Sequence, residues 1–358
     1  MLSSLSQAAG KALGGARFTL VSVLPVTVLT AYVTVLVLSG AYSGGRVDAL
    51  ALADRAKDHP GWLAFGAFGC LLAGLLLRPF QVTLVQMLEG YWWGGALPET
   101  AAAIATERHR RRMHTADTVR AAEVLEEPGT AFTDAVAHAR RKRRTDREAA
   151  RALRLFLRYP NAANPVPDAV GDHADRLMPT MLGNILRDGE DDSGRRYGLD
   201  LPTISHRLYP QLSDKLGAAV NQQLDLLDST CALSVSFALA TVAGVPLVGR
   251  LDPWSLAPVT TALLSVAAYR GAMRVAAGHA SLLAAAVDLH RFDMLAALHL
   301  KLPDDPAEEY ARNRQLTRFF ATARPLAKED LDGITYDHSH SGTASQGPVS
   351  PGQGDDAA

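Results

Sequence analysis

Residues 230–249 read TCALSVSFALATVAGVPLVG, bounded by Asp228 and Arg250, with no charge between. A helix crosses the hydrocarbon core of a bilayer with about 20 mostly apolar residues, and this run has that length and texture. Outward from it, residues 254–269 (WSLAPVTTALLSVAAY) stay charge-free until Arg270, with Arg274 one turn further on. Upstream, Phe18–Ser39 is rich in Val and Leu, with Pro25 as a kink, and Gly61–Leu77 (GWLAFGAFGCLLAGLLL) is closed by Arg78 and Pro79. The last run is short, but the Arg78 side chain can reach outward and apolar residues resume at Phe80–Leu88. Gly66, Gly69 and Gly74, with Ala64, Ala67 and Ala73, offer that run a small-residue surface for close packing. One such run is compatible with a buried core helix. Four, in two closely spaced pairs, predict an integral membrane protein, all-α, with four transmembrane helices in two hairpins.

The whole-chain averages conceal this. The 358 residues carry 36 Lys and Arg against 37 Asp and Glu, a net charge of −1. The mean hydropathy of +0.03 blends long apolar runs with strongly charged stretches. That excludes a plain soluble globule, a fibre, a mostly disordered chain and a globally basic nucleic-acid binder. Cys70 and Cys231 lie at different depths of different runs, which argues against a structural disulfide or a four-ligand zinc site. Lys11 and Arg17 precede the first run as they would in a signal peptide, but the run exceeds the usual ~7–15-residue core, so an uncleaved span is expected.

Lys and Arg near the span ends set the orientation. Arg46, Arg55 and Lys57 are balanced by Asp48, Asp54 and Asp58 in one connection, and the other has only Arg250 and Asp252. Arg78, the cluster from Arg108 to Arg112, Arg270, Arg274 and Arg291 all fall on the opposite side. Both termini are therefore expected in the cytoplasm, in a multi-pass protein of the bacterial inner (plasma) membrane. The expected parts are a cytoplasmic N-terminal segment (1–17), a first transmembrane hairpin (18–78), a helical cytoplasmic insert (79–229), a second hairpin (230–276), a membrane-proximal helical segment (277–336) and a disordered tail (337–358).

Within the insert, 79–95 holds Trp92 and Trp93 among apolar residues and suits a membrane face. Helices are expected from Leu97 to about Glu126 and from about Thr130 to Arg158, separated by Pro128-Gly129. On the second, Arg140, Arg144, Arg147, Arg151, Arg154 and Arg158 recur every three or four residues. At about 100° per residue they line up within roughly 40° along the helix. Ala149, Ala152, Leu153 and Phe156 fall opposite. Such a strip suits anionic lipid headgroups, at about 1 kcal/mol per near-surface charge. A nucleic-acid phosphate contact and a merely solvated face, paired with acidic neighbours, are the alternatives; the lack of interleaved aromatics disfavours nucleic acid. Further on, His173–Asp188 reads as a helix interrupted by Pro179. The acidic turn Gly189-Glu190-Asp191-Asp192 follows, and a helix from Gln211 to Asp228 leads into the third span.

The string Pro179-Thr-Met-Leu-Gly-Asn-Ile-Leu-Arg187, Glu190, Tyr197-Gly-Leu-Asp200 and Arg207-Leu-Tyr-Pro210 is similar to a block recurring in an uncharacterised bacterial family of multi-pass membrane proteins, mainly from actinomycetes. Asp288-Leu-His-Arg-Phe-Asp293 resembles a second block of that family. Together they cover about a sixth of the chain. The chain has Ser205-His206 where the family tends to have Trp-Pro. The resemblance implies membrane topology and carries no activity.

Few constellations point to chemistry. Asp288 and His290 are about 200° apart on a helix and cannot share one ion, whereas His290 and Asp293 can pair. His338 and His340 sit in the tail. Asn184, Glu190, Tyr197, Asp200, Arg207 and Tyr209 form a candidate polar cluster, read either as a site or as a network that fixes structure. P-loop, G-x-S-x-G, H-E-x-x-H and C-x-x-C motifs are missing from the sequence. No catalytic, cofactor-binding or metal residue is assigned, and no cofactor is expected. The expected function is a non-enzymatic membrane scaffold or interaction protein acting through its cytoplasmic helices. The alternatives are an oligomeric channel or transporter, and a membrane-associated enzyme or ligand sensor with a site near 184–209. The expected partners are the lipid bilayer, anionic lipid headgroups, an unidentified cytoplasmic protein and, under the channel reading, further copies of the chain.

Overall fold

A computed structural model describes residues 23–42, 61, 68–69, 71–73, 75–76, 80–92, 94–121, 132–156, 158–159, 176–250, 252–322 and 334–337. Among them the fold is all-α, with no strand beyond an isolated bridge between Leu300 and Tyr336. The helices are α1 (Leu24–Leu38), α2 (Gln81–Glu89), α3 (Ala96–Ala121), α4 (Phe132–Phe156), α5 (Met181–Arg195), α6 (Leu201–Leu208), α7 (Asp214–Gly244), α8 (Leu256–Ala297) and α9 (Pro306–Ala321). Two compact units emerge, Met1–Ser193 with Asp214–Ala284, and Gly194–Ser213 with Ala285–Ala358.

Two helical stretches, Asp214–Gly249 (36 residues) and Pro253–Ala297 (45 residues), are long and apolar enough to cross a membrane. This corrects the expectation of four spans for the described residues. Of the first expected span, residues 18–22 lie outside the described residues, and α1 is the 15-residue helix that follows them. Most of 61–77, including Cys70, lies outside the described residues, as do residues 1–22 and 338–358 with the expected tail. The helix expected to lead into the third span is continuous with it, since α7 starts at Asp214 and runs without a break to Gly244.

Facing hydroxyls pair the apolar parts of α7 and α8. Ser234 Oγ donates to the Ser265 carbonyl (3.2 Å), Ser265 Oγ donates back to the Ser234 carbonyl (2.9 Å), and the Thr241 and Thr261 hydroxyls meet at 2.9 Å. In an apolar medium such bonds hold helix register, at about 0.6–1.7 kcal/mol each. Ser265→Ala should therefore lower the melting temperature in detergent slightly, by one such bond. The link between the helices is tight: Asp252 Oδ1 accepts from Trp254 N (3.0 Å), and Leu247 is fully buried against Leu36, Ala41, Tyr32 and Trp254.

Helix α5 departs from expectation. It begins after Pro179 and runs through Glu190–Asp192, so the expected acidic turn is helical. The glycine that suggested a turn serves packing instead. A Cβ on Gly189 would collide with the Ala280 methyl of α8, and one on Gly183 with the Glu89 carbonyl at the end of α2. Gly189→Val forces these helices apart and should cost about 1–3 kcal/mol of stability, read as a lowered melting temperature. Leu182 and Ile185 of α5 pack with Leu227 and Cys231 of α7 and Ala272 and Ala276 of α8 as one buried cluster.

The α3 and α4 helices pack together, with Met113, Leu155, Tyr159 and Leu177 in a small cluster. His109 Nδ1 meets Tyr159 Oη at 3.0 Å. Ala152 is buried as its position opposite the arginines implies, while Leu153 is 40% exposed. In the second unit, Asp305 caps α9 by accepting from Ala307 N and Glu308 N, both at 2.8 Å, with Pro306 at the first helical position.

Candidate functional site

Of the candidate polar cluster, Asn184 and Glu190 belong to the first unit and Tyr197, Asp200, Arg207 and Tyr209 to the second. Asn184 is fully buried and serves the chain just before α5. Its Oδ1 accepts from Met178 N (2.9 Å), and its Nδ2 donates to the carbonyls of Met178 (2.9 Å) and Thr180 (2.7 Å). Within the second unit, Tyr197 Oη donates to Asp288 (2.6 Å), an interaction that raises the phenol pKa, and the Arg291 guanidinium lies 4.1 Å from its ring centroid. Arg291 also donates to Glu309 (2.7 Å). Asp200 accepts from the Thr203 hydroxyl (2.5 Å). Arg207 donates to the Thr203 carbonyl (3.1 Å) and stacks on Phe320, while Tyr209 is 41% exposed. His290 Nδ1 and Asp293 are 2.8 Å apart, and His290 Nε2 faces the Ser213 amide at 3.4 Å, which makes Nδ1 the donor of that pair.

Glu190 lines a cavity. In the first unit, α2, α5, α7 and α8 converge around a space of about 270 Å³. Val82, Val85, Leu186, Leu224, Leu227 and Leu283 form apolar walls. Glu89, Glu190, Asp228 and His279 supply titratable groups, one from each helix. Local anchoring accounts for the convergence. The end of α2 is fixed where Thr180 Oγ1 donates to the Glu89 carbonyl (2.7 Å), Gly183 lets that carbonyl approach, and Gly189 lets α5 lie directly on α8.

Burial pushes the Glu89 carboxyl up to about 7, with the Glu190 carboxylate adding to the rise and Arg187 opposing it. His279 is 6% exposed, and its Nδ1 has no hydrogen-bond partner. No three His, Cys, Asp or Glu side chains among the described residues are grouped to hold a metal ion. The folded chain holds the Glu89 proton more tightly than the unfolded chain does, so ionising Glu89 costs stability as pH rises from its ordinary 4.5 through about 7. Glu89→Gln should therefore melt higher than the parent at pH 8, with the gap closing toward pH 5.

Sequence reading overlooked this grouping, although a signal was present. Glu89 follows the second apolar run, Asp228 precedes the third and His279 follows the fourth, so three titratable residues mark the charged ends of three apolar runs. The arginine strip is where the sequence places it. Arg140, Arg144, Arg147, Arg151 and Arg158 are exposed, Arg144 pairs with Glu148 at 3.0 Å, and the Arg154 side chain lies outside the description.

Compared with known proteins, the chain matches no family model, no curated protein and no solved structure.

Proposed function

We propose that this chain is a multi-pass protein of the plasma membrane that acts without catalysis, as a scaffold whose cytoplasmic helices are its binding surface. Apolar exposure supports the membrane placement. Leu239, Val242, Val245 and Val248 on α7 and the turn after it, and Leu256, Val259, Leu263 and Val266 on α8, are each about half or more exposed. Full burial of such a side chain is worth about 1.5–3 kcal/mol, so one half exposed to water forgoes about half of that, a loss a lipid phase removes. In the second unit Tyr197, Asp200, Arg207, Arg291 and Glu309 are engaged in ties that hold the fold, which weakens an enzyme reading built on them.

The observation that carries the interaction role is the exposed arginine face of α4, a basic surface standing opposite the buried Ala152. It suits the anionic headgroups of the cytoplasmic leaflet, whose attraction is about 1 kcal/mol per basic side chain near the surface. Hydrogen exchange of the full chain in nanodiscs tests this. Protection of residues 140–158 should rise when phosphatidylglycerol replaces part of the phosphatidylcholine. It should fall back in high salt, or when Arg140, Arg144, Arg147 and Arg151 are all replaced by Gln. Equal protection in both lipids would leave the strip as a solvated face.

A further inference from the structure

We propose that the cavity between α2, α5, α7 and α8 binds a primary alkylammonium ion, an N–H of which donates to His279 while its charge is balanced by the carboxylates of Glu89, Glu190 and Asp228 and its alkyl chain lies against the leucine and valine walls. Three observations of different kinds support this. The lining combines the two chemistries of an amphipathic cation: the carboxylates of Glu89, Glu190 and Asp228, the His279 imidazole and the Gln86 amide, with Val82, Val85, Leu186, Leu224, Leu227 and Leu283 as aliphatic walls. At about 270 Å³ the space lies just under the range that takes drug-sized molecules, which suits a small organic ion. Finally, His279 is 6% exposed and its Nδ1 is without a partner. A buried polar atom left unsatisfied costs free energy that a bound donor restores.

An ammonium N–H can donate to that nitrogen while its charge answers the carboxylates. A quaternary ammonium has no N–H to give. A bare metal ion is disfavoured because the donors are not grouped for one. The shared chemistry has two sources, a free alkylamine or the ethanolamine headgroup of a phospholipid.

The charged and titratable groups near Glu89 are Arg187 and Glu190 on α5, Asp228 and Cys231 on α7 and His279 on α8. With Glu89 protonated below about 7, the cation must displace a proton, so affinity rises with pH. For a single group of that pKa, binding is about tenfold weaker at pH 6 than at pH 8.

The test is calorimetric titration of the full chain in phosphatidylcholine nanodiscs with n-hexylamine, using n-hexanol as a neutral control that partitions into the same bilayer. The expected result is saturable binding of the amine alone, about tenfold tighter at pH 8 than at pH 6. At pH 8, Glu89→Gln and Asp228→Asn should each weaken it at least tenfold. Glu89→Gln removes a buried ionisation that opposes folding, so its loss of binding is not a loss of fold. Including phosphatidylethanolamine in the disc separates the sources: competition with hexylamine identifies the headgroup as occupant, and unchanged affinity identifies a free amine. Equal heats for amine and alcohol, or a Glu89→Gln protein that binds as the parent does, would overturn the proposal.

Discussion

Leu239→Arg combined with Leu263→Arg should remove the protein from the membrane fraction. The two leucines lie near the centres of the apolar stretches of α7 and α8, and they are 51% and 67% exposed. A charge at the centre of a transmembrane helix opposes insertion by about 2.5–3.5 kcal/mol, so the pair costs about 5–7 kcal/mol. On an ordinary water-facing surface the same substitutions fall within about 0.5 kcal/mol of neutral and would improve solubility. The two environments thus predict opposite signs. Fractionation of expressing cells, with the protein quantified in membrane, soluble and aggregated pools, distinguishes them. Loss from the membrane pool with aggregation or degradation fits a lipid-facing surface. A well-folded soluble double variant would show that these faces meet water.

The second large effect concerns Asn184. Asn184→Ala deletes three hydrogen bonds at once, leaving Met178 N–H and two carbonyls without this partner at a fully buried position. The Thr180 carbonyl keeps the backbone N–H of residue 184, and each of the two remaining buried groups left unsatisfied costs about 1–3 kcal/mol, so a loss of about 2–6 kcal/mol is expected, with a correspondingly large drop in melting temperature. The same loop carries Thr180, whose hydroxyl holds the end of α2. Loosening it should therefore also raise hydrogen exchange across 81–90. A variant that melts within a degree or two of the parent would show that Asn184 does not fix this turn.

The reading of the sequence succeeded where one local pattern decides the structure. The charge-free runs after Asp228 and after Asp252 became the long helices α7 and α8, because periodicity and length suffice to identify apolar helices. The arginine repeat became the exposed face of α4 for the same reason. It failed where tertiary packing outweighed local preference. Gly189, followed by three acidic residues, reads as a turn, yet Ala280 fills the space that a side chain at 189 would need, and the helix continues. Nor can spacing alone distinguish the roles of Asn184 and Glu190, six residues apart on one helix. One closes its own N-terminal turn and the other lines a cavity built from three further helices. The cavity's members are spread from Val82 to Leu283, and no local motif joins residues that far apart.

The central claim is that α7 and α8 sit in a lipid bilayer, and alkaline carbonate extraction of membranes carrying the full chain tests it most directly. The protein should stay in the pellet at about pH 11 and come free only when detergent dissolves the bilayer, as burial of two helices' apolar faces in hydrocarbon requires. Release of the chain into the carbonate supernatant would contradict that claim and return these helices to a water-soluble fold.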